Sequence, residues 1–175
     1  MSFTDPKSNI EHLMIGEEMK VIDIGAGSGA YVFAAAEIAR NGKVYAVDVQ
    51  KDLLLKIKAE GAKRHLYNIE TVWADAEEPG GTKLSDGAMD RAIVSNLLFQ
   101  VEHREGLVKE VARIIRKKGR ILVVDWTDSW GGLGPQAKDV VTAKTARQLF
   151  EKVGFKMLKE FNAGDHHYGI VFEKI

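Results

Sequence analysis

Residues Asp23-Ile24-Gly25-Ala26-Gly27-Ser28-Gly29 put a carboxylate two positions ahead of three alternating glycines. Glycines spaced this way let a backbone turn sharply and approach a ligand that any side chain would displace. Lys and Arg are absent from the stretch. Asp48 lies about 20 residues beyond the loop, where a carboxylate at a strand end accepts both hydroxyls of a ribose. The two features point to an adenosine-containing cofactor. Gly25, Gly27 and Ala30 also satisfy the looser dinucleotide pattern, in which a helix N-terminus faces a pyrophosphate. Asp75, after a third β-favouring run, is by composition either a ligand group or the cap of the next turn. General-base candidates at strand ends are Asp125, Asp128, His166 and His167. Two adjacent histidines entering a strand point to opposite faces and cannot easily share a metal, so no metal site is expected.

The elements that must hold these residues alternate. Val21 to Ile24 read as a buried strand, and the Ala/Ile-rich residues 30–40 as a helix closed by a left-handed Asn41-Gly42 stop. Lys43 to Asp48 form a second strand, residues 52–60 a helix stopped by Gly61, and residues 69–74 a third strand. Residues 77–89 are a loop on their Pro, Gly, Ser and Asp content. Asp90 to Ser95 form a fourth strand. Residues 102–118 show helical spacing with a basic last turn, Arg116-Lys117-Lys118, before Gly119, more consistent with a dipole-complementing helix end than with a nucleic-acid patch. Residues 119–126 form a fifth strand with the continuous apolar core of a buried parallel strand.

Residues 127–141 are a Gly-rich loop, and Thr142 caps a helix ending at Gly154. Residues 155–161 and 167–174 make a hairpin around a turn at residues 162–165. At the N-terminus, Asp5-Pro6 starts a short helix that Gly16 ends. Trp126, Trp130 and Phe99 are placed either to line a pocket for a flat or apolar molecule or, for Trp126 and Phe99 equally, to pack in the core. Phe3 stands where an N-terminal arm would fold over a ligand.

The 175 residues suffice for one α/β domain, residues 1–175 with 1–19 as a helical arm, and not for a doubly wound sheet plus a substrate domain. Equal numbers of basic and acidic residues, 25 each, leave no global field toward nucleic acid or anionic membrane. The absence of cysteine rules out disulfides, thiolate metal sites and a cysteine nucleophile. No run approaches the roughly 18 apolar residues of a membrane span, and a soluble, cytoplasmic protein is expected. Oligomeric state is not legible.

The motif Asp23-x-Gly-x-Gly-x-Gly29, joined to Asp48 and the terminal hairpin, resembles the class I S-adenosylmethionine-dependent methyltransferases. The resemblance covers nearly the whole chain and is strongest toward the ubiquinone and menaquinone biosynthesis methyltransferase family. It is carried by residues 21–29, 44–48, 90–98, 110–113 and 118–125. It implies a Rossmann-like fold with a seven-stranded, mostly parallel sheet, a reversed seventh strand inserted beside the fifth, and helices on both faces.

The resemblance also implies residue roles. Gly25, Ala26, Gly27 and Gly29 lie along the methionine and ribose, with Asp23 holding the amino group. Asp48 and Val49 hold the ribose end, Asp75 and Ala76 the adenine, and Ser95 and Asn96 lie beneath the sulfonium. No Asn/Asp-Pro-Pro-aromatic motif of the amino-directed nucleic-acid enzymes is present, so a small-molecule acceptor is expected. An NAD(P)-binding Rossmann protein and a non-catalytic S-adenosylmethionine-binding module are the alternatives.

Overall fold

Runs of aliphatic residues set the sheet. The computed structural model describes residues 4–175; the Phe3 expectation lies outside them. Strands β1 (Lys20–Ile24), β2 (Lys43–Asp48), β3 (Ile69–Trp73), β4 (Met89–Ser95), β5 (Ile115–Trp126), β6 (Phe155–Gly164) and β7 (His167–Lys174) form one sheet in the order β3-β2-β1-β4-β5-β7-β6. The first five are parallel, and β7 runs antiparallel between β5 and β6. The reversed strand therefore sits where the resemblance put it.

Strand residues alternate between two cores, as the pleat requires. Ile121 and Val123 of β5 face the side covered by helices α4 (Arg104–Ile114) and α5 (Ala143–Glu151), while Leu122 and Val124 face helices α1 (Pro6–Glu11), α2 (Ala30–Ile38) and α3 (Lys51–Lys63). Asp5 caps α1 by accepting from the amides of Lys7 and Ser8, and Thr142 caps α5 by accepting from Thr145. Buried polar groups tie the N-terminal segment down. Arg91 donates to the carbonyls of Leu13 and Met14, and Asn9 donates to Tyr31 Oη and the Ala163 carbonyl.

Several element ends differ from expectation. The helix expected over 102–118 stops at Ile114, and Ile115 already belongs to β5. Both isoleucines are fully buried, so the apolar pattern runs unbroken across the boundary. The basic run thus lies on a strand, where Arg116 pairs with Asp90 and Lys118 with Glu173. Gly61 does not stop α3 but lies within it, close to Ile69; the left-handed residue is His65. Gly42 is not left-handed either. Its missing side chain is required because a Cβ would lie 2.0 Å from the Met19 carbonyl oxygen. Gly16 does not end α1, which stops at Glu11 with left-handed Met14 beyond it. The hairpin turn narrows to Asp165 and His166, because Asn162 and Gly164 already pair with β7. Among the described residues, no helix is long and apolar enough to cross a membrane.

Candidate functional site

The turn from β1 into α2 is built on three left-handed glycines, Gly25, Gly27 and Gly29, with φ of 73°, 52° and 83°. The amides of Gly25 and Ala26 both donate to the Val47 carbonyl, at 2.9 and 3.0 Å, and that of Gly29 donates to Ala26. Gly27 donates to Asp48 Oδ2 at 2.9 Å, while Gln50 donates to Asp48 Oδ1 at the same distance. The amides of Gly25, Ala26, Gly27 and Gly29 are therefore engaged inside the protein. The three glycines have different tasks. A Cβ at Gly25 would lie 2.8 Å from Leu97, and one at Gly29 2.8 Å from Ile57, so these two are set by packing. A Cβ at Gly27 would meet nothing nearer than 3.9 Å and would project into open space.

That space is a cleft at the C-terminal ends of the parallel strands, where the strand order reverses between β1 and β4 and ligands of open α/β sheets bind. It has two lobes of about 260 Å³ each, together within the usual range for a small-molecule site. Gly25, Gly27 and Gln100 border both. The lobe over β2 is walled by Asp48, Val49, Leu53, Asp75, Ala76 and Glu77. The lobe over β4 is walled by Asp23, Ala26, Tyr31, Ser95 and Asn96, with Thr4 and Pro6 at its edge. Of the residues expected at a cofactor, Gly29 alone lines neither lobe; its place is against α3 and the Phe33 ring.

Four carboxylates, those of Asp23, Asp48, Asp75 and Glu77, line the cleft, and the described lining residues include no Lys, Arg or His. The site therefore favours a cation over a phosphate. Asp75 is exposed, and its Oδ1 accepts from the Glu77 amide at 2.9 Å, so it caps its own turn while its other oxygen faces solvent. Asp23 is 2% exposed and accepts no hydrogen bond from any described residue. Burial first, and the nearby Asp48 second, push its carboxyl up to about 7.

The segment after β4 forms the far wall. Asn96 is left-handed at φ 51°, and its amide donates to the Val124 carbonyl at 2.8 Å. His167, buried at the start of β7, lies with Nε2 3.0 Å from the Asn96 carboxamide and Nδ1 2.8 Å from the Asp165 carbonyl. Burial lowers its pKa. Asp125 does not reach the cleft. It is fully buried, accepts from the amides of Leu98 and Trp126 at 2.9 Å each, and so fastens the 96–99 turn to β5. Burial raises its carboxyl to about 6 against the pull of those amides. His166 and Asp128 pair at 2.8 Å, with Trp130 stacked on the imidazole. Trp126 packs between His167 and the Gly134 backbone, and Phe99 leans on the core, so none of the three aromatics lines either lobe.

With this geometry in place, similarity to known proteins takes on a definite meaning. The family described as "Methyltransferase domain" matches residues 22–123, more than half of the chain. The chain belongs to this methyltransferase family. Among curated relatives, the aklanonic acid methyltransferase DauC of Streptomyces sp. (strain C5) is 32% identical over 58% of the chain and 46% of its own length. The demethylmenaquinone methyltransferase of Bacillus mycoides is 24% identical over 82% of the chain and 59% of its own length. The chain thus spans about half the length of these curated relatives. In fold, the chain is similar to an S-adenosylmethionine-dependent methyltransferase from Aquifex aeolicus. That structure superposes with a TM-score of 0.88 at 21% identity, covering 99% of this chain and 91% of that one.

Within the methyltransferase domain, sequence reasoning missed Tyr31, Gln100, Leu53 and Glu77. Tyr31 had a usable signal: an aromatic in the first turn of a helix that opens directly from the glycine loop must stand beside it. Gln100 had none, because its placement follows from the 96–101 turn, whose path is set by Asp125 and by Arg104 donating to the Leu98 carbonyl.

Proposed function

We propose that the chain binds S-adenosylmethionine in this cleft and transfers its methyl group to a small-molecule acceptor. The observation carrying the reading is the acidic cleft itself: a carboxylate hydrogen-bonded to the glycine loop in one lobe and a buried, unpartnered carboxyl in the other. The residues suit the ligand piece by piece. Asp48 keeps lone pairs for ribose hydroxyls after taking two amides, while Val49, Leu53, Asp75 and Ala76 offer an apolar slot with an acid at its end for adenine. Asp23 suits an ammonium, and Ser95 and Asn96 supply polar groups in the same lobe. Bound there, the cofactor would supply an electrophilic methyl group for in-line displacement.

The protein's contribution is then alignment and exclusion of water, and alignment alone is worth roughly 7–11 kcal/mol in favourable cases. No described residue lining the cleft is a histidine or lysine, so a proton held by the acceptor would leave through solvent. Relatives named for aklanonic acid and demethylmenaquinone support an organic small molecule as acceptor. The alternative dinucleotide reading conflicts with a described lining that holds acids and no Lys, Arg or His to meet a pyrophosphate.

Thermal shifts and calorimetry with S-adenosylhomocysteine, NADH and NADPH test the reading. Binding of the first alone is expected, and stabilisation by the nicotinamides alone would sink it. Radiolabelled methyl transfer to a panel of quinols, phenols and amines separates an enzyme from a binding module.

A further inference from the structure

Four acids are buried in this protein, and one differs from the others. Glu110 accepts from Arg113, Thr82 and Gly80, Asp125 from two backbone amides, and Asp48 from two more. Asp23 accepts from none of the described residues, although it lines the β4-side lobe. It lies mid-strand in register with Ala46 and Ile93, so hydrocarbon flanks it on both sides. The groups facing it are Asp48 from β2, the Tyr31 hydroxyl from α2 and Ser95 from β4. Asn9 of α1 reaches Tyr31 on the other side. None of these is cationic, and Asp48 opposes a second negative charge.

We propose that ligand binding in this cleft is coupled to proton release at Asp23: the buried carboxyl, without a donor among the described residues, is neutral in the empty cleft and ionises when a ligand ammonium arrives beside it. The step deepens the cofactor reading above and rests on it. One O–H bond of Asp23 breaks, its proton passes to solvent, and the carboxylate pairs with the ammonium; no other bond changes. A carboxyl with neither donor nor cation has no reason to stay charged at 2% exposure. The rise toward neutrality noted above fits that state. Ligands that stop at the ribose gain nothing from ionising Asp23, so selection between whole cofactor and adenosine fragments sharpens as pH rises.

The experiment compares S-adenosylhomocysteine, which carries the ammonium, with methylthioadenosine, which lacks it. Calorimetry at pH 6 in buffers of different ionisation enthalpy is expected to show about one proton released with S-adenosylhomocysteine and none with methylthioadenosine. S-adenosylhomocysteine affinity should rise up to about tenfold per pH unit below neutrality and level off above it. Asp23→Asn should abolish both the slope and the release. Tight S-adenosylhomocysteine binding with no proton release, or equal release with both ligands, would overturn the proposal and leave the cofactor reading standing. Failure of both ligands to bind at any pH overturns both. Should methylthioadenosine bind too weakly to measure, the S-adenosylhomocysteine slope in the wild type against Asp23→Asn decides alone.

Discussion

Asp48 Oδ2 accepts the amide hydrogen of Gly27 at 2.9 Å, so the acid ending β2 and the loop ending β1 hold each other in place before any ligand arrives. Its other oxygen takes the Gln50 amide. An asparagine at this position has one acceptor oxygen for two amides and leaves one N–H facing an NH2 group. Loss of such a partner costs about 1–3 kcal/mol. Asp48→Asn is therefore expected to weaken S-adenosylhomocysteine binding by at least about tenfold while the fold survives. Calorimetry and a thermal melt on the same sample check both halves; unchanged affinity would remove Asp48 from the ribose.

The loop's glycines separate packing from binding. Gly25→Ala meets a left-handed φ and a contact 2.8 Å from Leu97, whereas Gly27→Ala meets the φ alone. A left-handed non-glycine residue costs about 1–2 kcal/mol. Gly27→Ala should melt only a few degrees lower yet lose ligand affinity, since its methyl enters the cleft. Gly25→Ala should lose clearly more stability. Melting curves in the reverse order would refute the division.

Much of the cleft lining was legible because it lies at strand ends: Asp23, Asp48 and Asp75 each sit in or just past an apolar run that identifies itself. Gly29 shows the limit of the motif, since the same pattern contains glycines that border the cleft and one that packs against Ile57. The ends of α3 and α4 were not legible, because Gly61 and the run through Ile114 and Ile115 are decided by contacts with Ile69 and β4 that no local pattern carries. The far wall was hidden for the same reason. Asn96 takes its place from His167, 71 residues later in the chain.

His167 gives that wall a test. It is buried and joined to Asn96 at 3.0 Å, with the Asp165 carbonyl fixing its other nitrogen. His167→Ala is expected to free the Asn96 side chain and weaken S-adenosylhomocysteine several-fold, about 1 kcal/mol for one hydrogen bond. His167→Gln, which keeps a polar group toward Asn96, should recover part of it. Equal affinity in all three proteins would make the contact purely structural.

Glu110 fastens the other side. Fully buried on α4, it accepts from Gly80, Thr82 and Arg113 and so moors the 78–86 loop. Burial alone would raise its carboxyl, but Arg113, Thr82 and Gly80 hold it down to about 2. Glu110→Ala leaves the Gly80 and Thr82 amides and the Thr82 hydroxyl without their acceptor, while Arg113 keeps Asp86, and each buried group left unsatisfied costs about 1–3 kcal/mol. Chemical denaturation should show a loss of that order, with proteolysis appearing first in residues 78–86. Wild-type resistance there would contradict the mooring.

Glu110 on one side, and Asp23 and Asp125 on the other, give the empty protein opposite pH slopes. For Glu110, the folded value near 2 lies below the ordinary 4.5, so its contribution is full above about 4.5 and is lost as pH falls toward 2. For Asp23 and Asp125 the folded values, about 7 and about 6, lie above the ordinary 3.8. Their unfolded forms ionise first, so stability declines as pH climbs from about 4 and levels off above 7, at up to about 1.4 kcal/mol per group per pH unit. The contribution of these three carboxyls is therefore largest near pH 4–5 and falls toward pH 8, opposed in part by His12 and His167, whose lowered values add stability as pH rises through about 6.5. Asp23→Asn should remove part of that loss, making the variant more stable than the wild type at pH 8 and equal to it at pH 4. Saturating S-adenosylhomocysteine should flatten the wild-type decline, because a paired ammonium gives the ionised Asp23 its missing counter-charge. If the wild type and Asp23→Asn instead keep the same melting profile from pH 5 to 8 without ligand, Asp23 does not change charge over that range and the cleft would then have to be read without it.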